Sequence, residues 1–281
     1  MSRIRRIQIA QDTFGILERG HYRTLQGKEI DIAQELAAAK GGTIHYKSAQ
    51  LEAFVQQLQA ETDREKVTTI FEVTGETTLE AAKRLWDEGE SHILALNFAS
   101  AKNPGGGFLT GAQAQEESLA RASGLYPCIE QKKAMYKANK AHHSNLYLDD
   151  MIYSPQVPVF RCDDGQLLAP YTLSIVTAPA VNAGAVKDSE SHHIPLLEPT
   201  MKGRILKLLS LCHQHQHKTL LLGAWGCGVF RNDPTHMASY FKEALGEGGL
   251  FHNHFERIVF AILDHTQEQK YSTPFREQFL A

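Results

Sequence analysis

Between residues 97 and 124 the chain reads NFASAKNPGGGFLTGAQAQEESLARASG. An apolar run ends there in a polar turn, three consecutive glycines follow, and Gln115, Glu116 and Glu117 open a helical pattern, Gln115 eight residues after the last glycine. Glycine reaches positive φ without steric cost. Gly105, Gly106 and Gly107 therefore describe backbone bent tightly enough for its amides to touch a ligand, with a pyrophosphate the natural guest. Two carboxyl groups beside such a loop could serve as acid or base for bond cleavage. The same residues also fit a plain surface turn followed by glutamates that favour a helix start. A second glycine loop further on moves the balance toward a site.

That second loop lies in residues 220–234, LLLGAWGCGVFRNDP, where a continuous apolar run with the look of a buried strand breaks at Gly223, Gly226 and Gly228. A helix is predicted from about residue 235. Strand, glycine turn and helix N-terminus make an anion cradle, because unpaired amides and the helix dipole both favour negative charge. No Gly-Lys-Ser/Thr ending makes a Walker loop, and Gly226-Cys227-Gly228 lacks the third glycine of the dinucleotide fingerprint. Phe230 has two readings: a ring lying against a ribose or adenine, or an ordinary core aromatic.

These residues carry a family likeness. The run GGGFLTGAQAQEESLARASGLY, with GAWGCGVFRNDP downstream, resembles microbial-type poly(ADP-ribose) glycohydrolase, a variant of the macrodomain, and both loops occur in that family's order. Residues 12–22, DTFGILERGHY, are similar to the opening of those proteins. The resemblance implies a macrodomain-like three-layer α/β/α fold with a mixed central sheet, residues 1–65 forming an N-terminal helical extension and 66–281 the catalytic core. It implies that Gly105, Gly106, Gly107, Gly226, Cys227, Gly228, Val229 and Phe230 hold an ADP-ribose diphosphate, that Glu117 is the acid/base, and that neither metal nor cofactor is required. Gln115 joins the signature without an assigned task. The expected substrates are poly(ADP-ribose) or ADP-ribosylated macromolecules, with ADP-ribose as product. A non-hydrolytic ADP-ribose-binding macrodomain, or a hydrolase of mono-ADP-ribosylated protein or nucleic acid, is the alternative. The intact Gln-Glu-Glu favours the polymer hydrolase, since a reader needs the loops but not the acid.

The adjacency of Glu116 and Glu117 constrains the chemistry. A conventional glycosidase straddles the scissile bond with carboxyls about 5–9 Å apart, whereas neighbours at a helix start diverge by about a hundred degrees. Their jobs must differ. Glu117 is expected to protonate the leaving ribose oxygen and then activate water, with Glu116 on ribose hydroxyls and the diphosphate steadying the oxocarbenium-like centre. Asn97 and Asn103 could bond ribose or fix the glycine turn. Thr74, Glu76 and Thr77 could meet adenine, but an N-cap explains them equally well.

Composition bounds the rest. A net charge of −3 gives no general attraction for nucleic acid or membrane. Cys128, Cys162, Cys212 and Cys227 show no C-x-x-C spacing, which points to reduced thiols in a cytoplasmic protein and away from structural zinc. Met1 to Arg6 is basic but no long apolar region follows, so no secretory signal or membrane span is expected. His213, His215 and His217 are expected on a solvated helix end or loop. Hydrophobic periodicity predicts strands over 66–73, 91–99, 151–160, 173–178, 219–222 and 257–263, and helices over 27–39, 49–58, 77–88, 118–123, 199–214 and 235–245. Gly124 and Pro127 are expected to stop the helix after Glu117, and 182–193 to form a long loop.

Overall fold

A computed structural model describes residues 1–24, 26–61 and 67–280. Its frame is a seven-stranded mixed sheet. In chain order the strands are β3 (Ile44–Tyr46), β4 (Ile70–Thr74), β5 (Ile93–Phe98), β6 (Met151–Arg161), β7 (Leu167–Ala178), β8 (Thr219–Leu222) and β9 (Arg257–Ala261), and β1 (His21–Arg23) with β2 (Glu29–Asp31) forms a separate hairpin. Their order across the sheet is β3-β6-β7-β5-β8-β9-β4, antiparallel from β3 to β7 and parallel from β7 to β4.

The central strands are buried on both faces, and their side chains divide by alternation. Leu94, Leu96, Leu220 and Leu222 enter one core, while Ile93, Ala95 and Leu221 enter the other. Helices α3 (Ser48–Ala60), α9 (Leu197–Gln214), α10 (Pro234–Leu245) and α11 (Thr273–Phe279) cover the first face. Against the second lie α2 (Ala33–Gly42), α4 (Thr78–Asp87), α5 (Gln115–Ala122), α6 (Leu125–Glu130) and α7 (Lys133–Ala141). The result is a three-layer α/β/α architecture.

Helix α1 (Arg3–Arg19) packs Ile9, Ala10, Thr13 and Ile16 inward and ends at Gly20, whose N–H returns to the Ile16 carbonyl. The segment expected as an extension also contains β3, which pairs with β6, so part of it supplies an edge strand of the main sheet. The expected boundary at 65/66, like residue 66 of the first predicted strand, lies outside the described residues.

Several expectations are corrected. The helix predicted over 27–39 is strand β2 followed by α2, because Ile30 and Ile32 pack with Tyr22 and Phe160 on the hairpin side. Pro127 lies inside the first turn of α6, where its missing N–H costs no helical bond. Residues 182–193 hold helix α8 (Ala183–Ser189) and the start of a 3-10 turn (Ser191–Leu196).

The histidines past α9 are packed against the core. His215 stacks on Tyr153 at 3.7 Å between centroids and hydrogen-bonds the Tyr46 hydroxyl, while His217 bonds the Tyr153 hydroxyl and the His92 carbonyl. Burial lowers the affinity of both rings for protons, that of His215 to about 4 from 6.5. Between those two values the unfolded chain binds the proton more tightly, so acidification through this window disfavours the folded state. The midpoint of urea unfolding is expected to fall between pH 7 and pH 5, and His215→Phe, which keeps a ring against Tyr153, to reduce that fall. An unchanged pH dependence in the variant would contradict the assignment.

Candidate active site

Strands β5 and β8 are parallel neighbours, so the loops leaving their carboxyl ends lie side by side, the usual place for a ligand crevice in such sheets. Between them opens a cavity of about 770 Å³, within the range that binds nucleotide-sized ligands.

Helix α5 is tied to the end of β5 by Gln115. Its Oε1 accepts the Phe98 N–H at 2.8 Å, and its Nε2 donates to the Leu96 carbonyl at 2.8 Å and to Thr78 Oγ1 at 3.1 Å. The Gln115 amide is thus committed to protein partners; it positions the helix start and, through Thr78, links it to α4. This bonding gives the task that sequence left open.

The clamp drives the next two residues under the glycine loop. Glu116 is 3% exposed and Glu117 9%, unusual for carboxyls in a first turn. Glu116 Oε2 accepts the Ser100 N–H at 2.7 Å, and Oε1 accepts from Asn97 Nδ2 at 3.3 Å. Asn97, fully buried, also donates to Thr177 Oγ1 at 3.1 Å. Glu117 Oε1 accepts the Gly107 N–H at 2.9 Å. Burial, reinforced by the Glu117 charge beside it, pushes the Glu116 carboxyl up to about 8 despite these hydrogen bonds.

The N–H groups of the triple glycine face the protein's own groups. The Gly106 N–H goes to the Asn103 carbonyl at 3.0 Å, that of Gly107 to Glu117, and that of Gly105 faces Glu116. Gly106 has φ +59, and a Cβ there would collide with Glu117 Oε1 and sit 3.1 Å from Glu116 Oε2. Only glycine lets backbone and both carboxyls share this space. The Asn103 N–H caps back onto Ser100 Oγ at 3.2 Å, so its backbone holds the turn while its side chain lines the cavity.

Across the cavity the loop after β8 is differently disposed. Trp225, fully buried, donates to the Ala178 carbonyl at 3.1 Å, and Asn232 Nδ2 ties Val181 to Gly226 through their carbonyls. Gly226 sits at φ +73, and a Cβ there would strike Asn232 and Ala180. Among the described residues the N–H groups of Gly228, Val229 and Phe230 find no protein acceptor, leaving them for an anion. The start of α10 is not part of this cradle, since the Asp233 carboxylate caps it through Thr235 and His236. Cys227 is buried with its thiol against the protein, Val229 is 82% exposed at the mouth, and Phe230 lies 5.8 Å from the Tyr147 ring while lining the cavity.

Sequence reasoning missed Ser100, Thr78, Asp163 and Tyr271, which also line or support the cavity. Ser100 and Thr78 lie within segments already singled out. Thr77 is the N-cap of α4 in a reciprocal box with Glu80, visible as Thr-x-x-Glu and worth about 1 kcal/mol. Asp163 had no signal at all, because it comes from a distant hairpin tip.

A family model described as microbial-type PARG, catalytic domain, matches residues 10–162. Solved structures agree over nearly the whole chain. Poly(ADP-ribose) glycohydrolase from Thermomonospora curvata, bound to the inhibitor ADP-HPD, is 41% identical with TM-score 0.90, over 98% of this chain and 99% of that one. The enzyme from Deinococcus radiodurans in complex with ADP-ribose is 48% identical with TM-score 0.81, over 86% of this chain and 96% of that one. No curated protein matches. Matched by the family model over more than half of its length and 41% and 48% identical to these enzymes, the chain belongs to the microbial-type poly(ADP-ribose) glycohydrolase family.

Proposed function

We propose that this protein is a poly(ADP-ribose) glycohydrolase that hydrolyses ribose–ribose O-glycosidic bonds and releases ADP-ribose. What carries the reading is the juxtaposition of two buried neighbouring carboxyls, one holding its proton up to about 8, with a loop of unpaired amides across a single cavity. A module that only binds ADP-ribose has no use for the carboxyl pair, whose burial opposes folding.

The diphosphate rests on the amides of Gly228, Val229 and Phe230, which places the adjoining ribose toward α5. Glu116, neutral at pH 7, can both donate to and accept from a ribose hydroxyl, while Asn97 fixes its rotamer. Glu117 passes a proton to the leaving ribose oxygen as the C–O bond breaks, and the bonding electrons leave with that oxygen. The anomeric carbon gains oxocarbenium character beside the diphosphate, whose charge takes the place of a second protein carboxylate. Glu117, now ionised and held by the Gly107 N–H, removes a proton from water as it adds to that carbon, which restores the starting state. In the free protein the pair's proton rests on Glu116, so Glu117 takes up its own proton when bound substrate excludes water from the site.

A reducing, cytoplasmic setting is part of the proposal. It is supported by four unpaired cysteines, three of them buried, and no helix is long and apolar enough to cross a membrane among the described residues.

Glu117→Gln is expected to abolish release of ADP-ribose from polymer while calorimetry still detects ADP-ribose binding; near-wild-type turnover would remove Glu117 from the chemistry. Gly106→Ala is expected to lower kcat about a hundredfold by displacing both carboxyls, with ADP-ribose affinity changed far less; full activity would contradict the shared-space argument. If neutral Glu116 is needed, kcat/KM falls as pH rises through about 8, and Glu116→Gln, which stays neutral, loses that alkaline limb. An alkaline limb that persists in the variant assigns the titration elsewhere.

A further inference from the structure

Strands β6 and β7 extend well past their sheet neighbours, and their pairing shifts register between Ser154 and Val157 and again between Val159 and Arg161. Register shifts of this kind bend a strand, and β6 lies beside α5, with Val159 bridging Ser123 at the end of that helix. Its tip, residues 162–166, meets α1 at Gly165, which packs on Ile9. One tip residue, Asp163, reaches the cavity wall near the start of α4 and the first turn of α5.

Its surroundings are selective. Asp163 Oδ2 accepts the Thr77 hydroxyl at 2.6 Å, and the Ser118 hydroxyl faces the same carboxylate. Both cations nearby are turned to other partners. Arg161 is bound to Asp12, Thr13 and the Gly165 carbonyl, and Arg121 to the Ala112 carbonyl, Gln113 and Ser118 Oγ. Among the described residues Asp163 therefore has no direct ion pair; burial raises its carboxyl, and the Arg121 charge beyond contact offsets only part of that rise. The neighbouring Asp164 behaves otherwise, exposed and closing its own turn on the Gln166 N–H.

A carboxylate with no cation in direct contact repels the diphosphate, which stays on the amides across the cavity. It has four lone-pair positions, of which two hydroxyl donors fill two. What it can recognise is an uncharged donor. We propose that Asp163 is a specificity-determining residue that accepts a hydrogen bond from the nucleoside part of the substrate, from a ribose hydroxyl or a purine amine. The proposal rests on the reading of this cavity as the polymer-cleaving site.

The test compares wild type with Asp163→Ala and Asp163→Asn, the latter keeping shape and an oxygen for Thr77. Three quantities are measured: Kd for ADP-ribose, Kd for its hypoxanthine counterpart, which lacks the amine, and kcat/KM on polymer. Loss of one charged hydrogen bond is expected to cost about tenfold in at least one of them, with kcat and melting temperature of the Asn variant held. If the donor is the amine, wild type prefers ADP-ribose about tenfold and the variants lose that preference. A hydroxyl of the bound unit weakens both ligands equally, and a hydroxyl on the leaving unit leaves both Kd values alone while polymer kcat/KM falls. All three quantities within twofold of wild type in the folded Asn variant, or a loss confined to kcat, would overturn the proposal. Wild-type binding of ADP-ribose without polymer cleavage would instead defeat the proposed hydrolysis, with the two Kd comparisons still deciding the role of Asp163.

Discussion

Two adjacent carboxyls are kept out of water at the end of a central strand, and most of the active-site architecture exists to make that possible. Isolated burial of one such group is costly, and of two side by side more so. Here the cost is offset by amide donors from Ser100 and Gly107, by Asn97, and by leaving a proton on Glu116. Gln115 fixes where the helix begins, so the pair cannot swing out to solvent without breaking three hydrogen bonds to β5 and α4.

The two glycine loops look alike in sequence and do opposite work. The first turns its amides toward the protein's own carboxyls and the Asn103 carbonyl, and the second leaves those of Gly228, Val229 and Phe230 unpaired. The difference arises from what each loop faces. The first lies against the first turn of α5, and the second is backed by Trp225 and Asn232. A sequence shows that glycines permit a tight bend; it does not show the direction in which the N–H groups point.

That distinction marks how much could be read in advance. Strand β8 and the apolar body of β5 were readable because continuous burial leaves an unbroken hydrophobic run, and the Gln-Glu-Glu helix start was readable by its adjacency to the glycines. Long-range matters were not. Helix α8 hides in a polar stretch, His215 and His217 are packed by Tyr46 and Tyr153 from elsewhere in the chain, and Asp163 reaches the cavity only through register shifts in a hairpin. Gln115 was visible as a motif member, but its clamp depends on three groups supplied by two other elements.

The proposed function keeps two tasks apart, with unpaired amides on one wall and a buried carboxyl pair on the other. The central claim is that burial keeps Glu116 protonated at neutral pH. Carbon-13 NMR of side-chain carboxyls in the ligand-free protein, with Glu116 assigned by comparison with Glu116→Gln, tests it most directly. The account requires that resonance to stay in its protonated form through pH 7 and to titrate near 8; titration in the ordinary carboxylate range near 4.5 would contradict it.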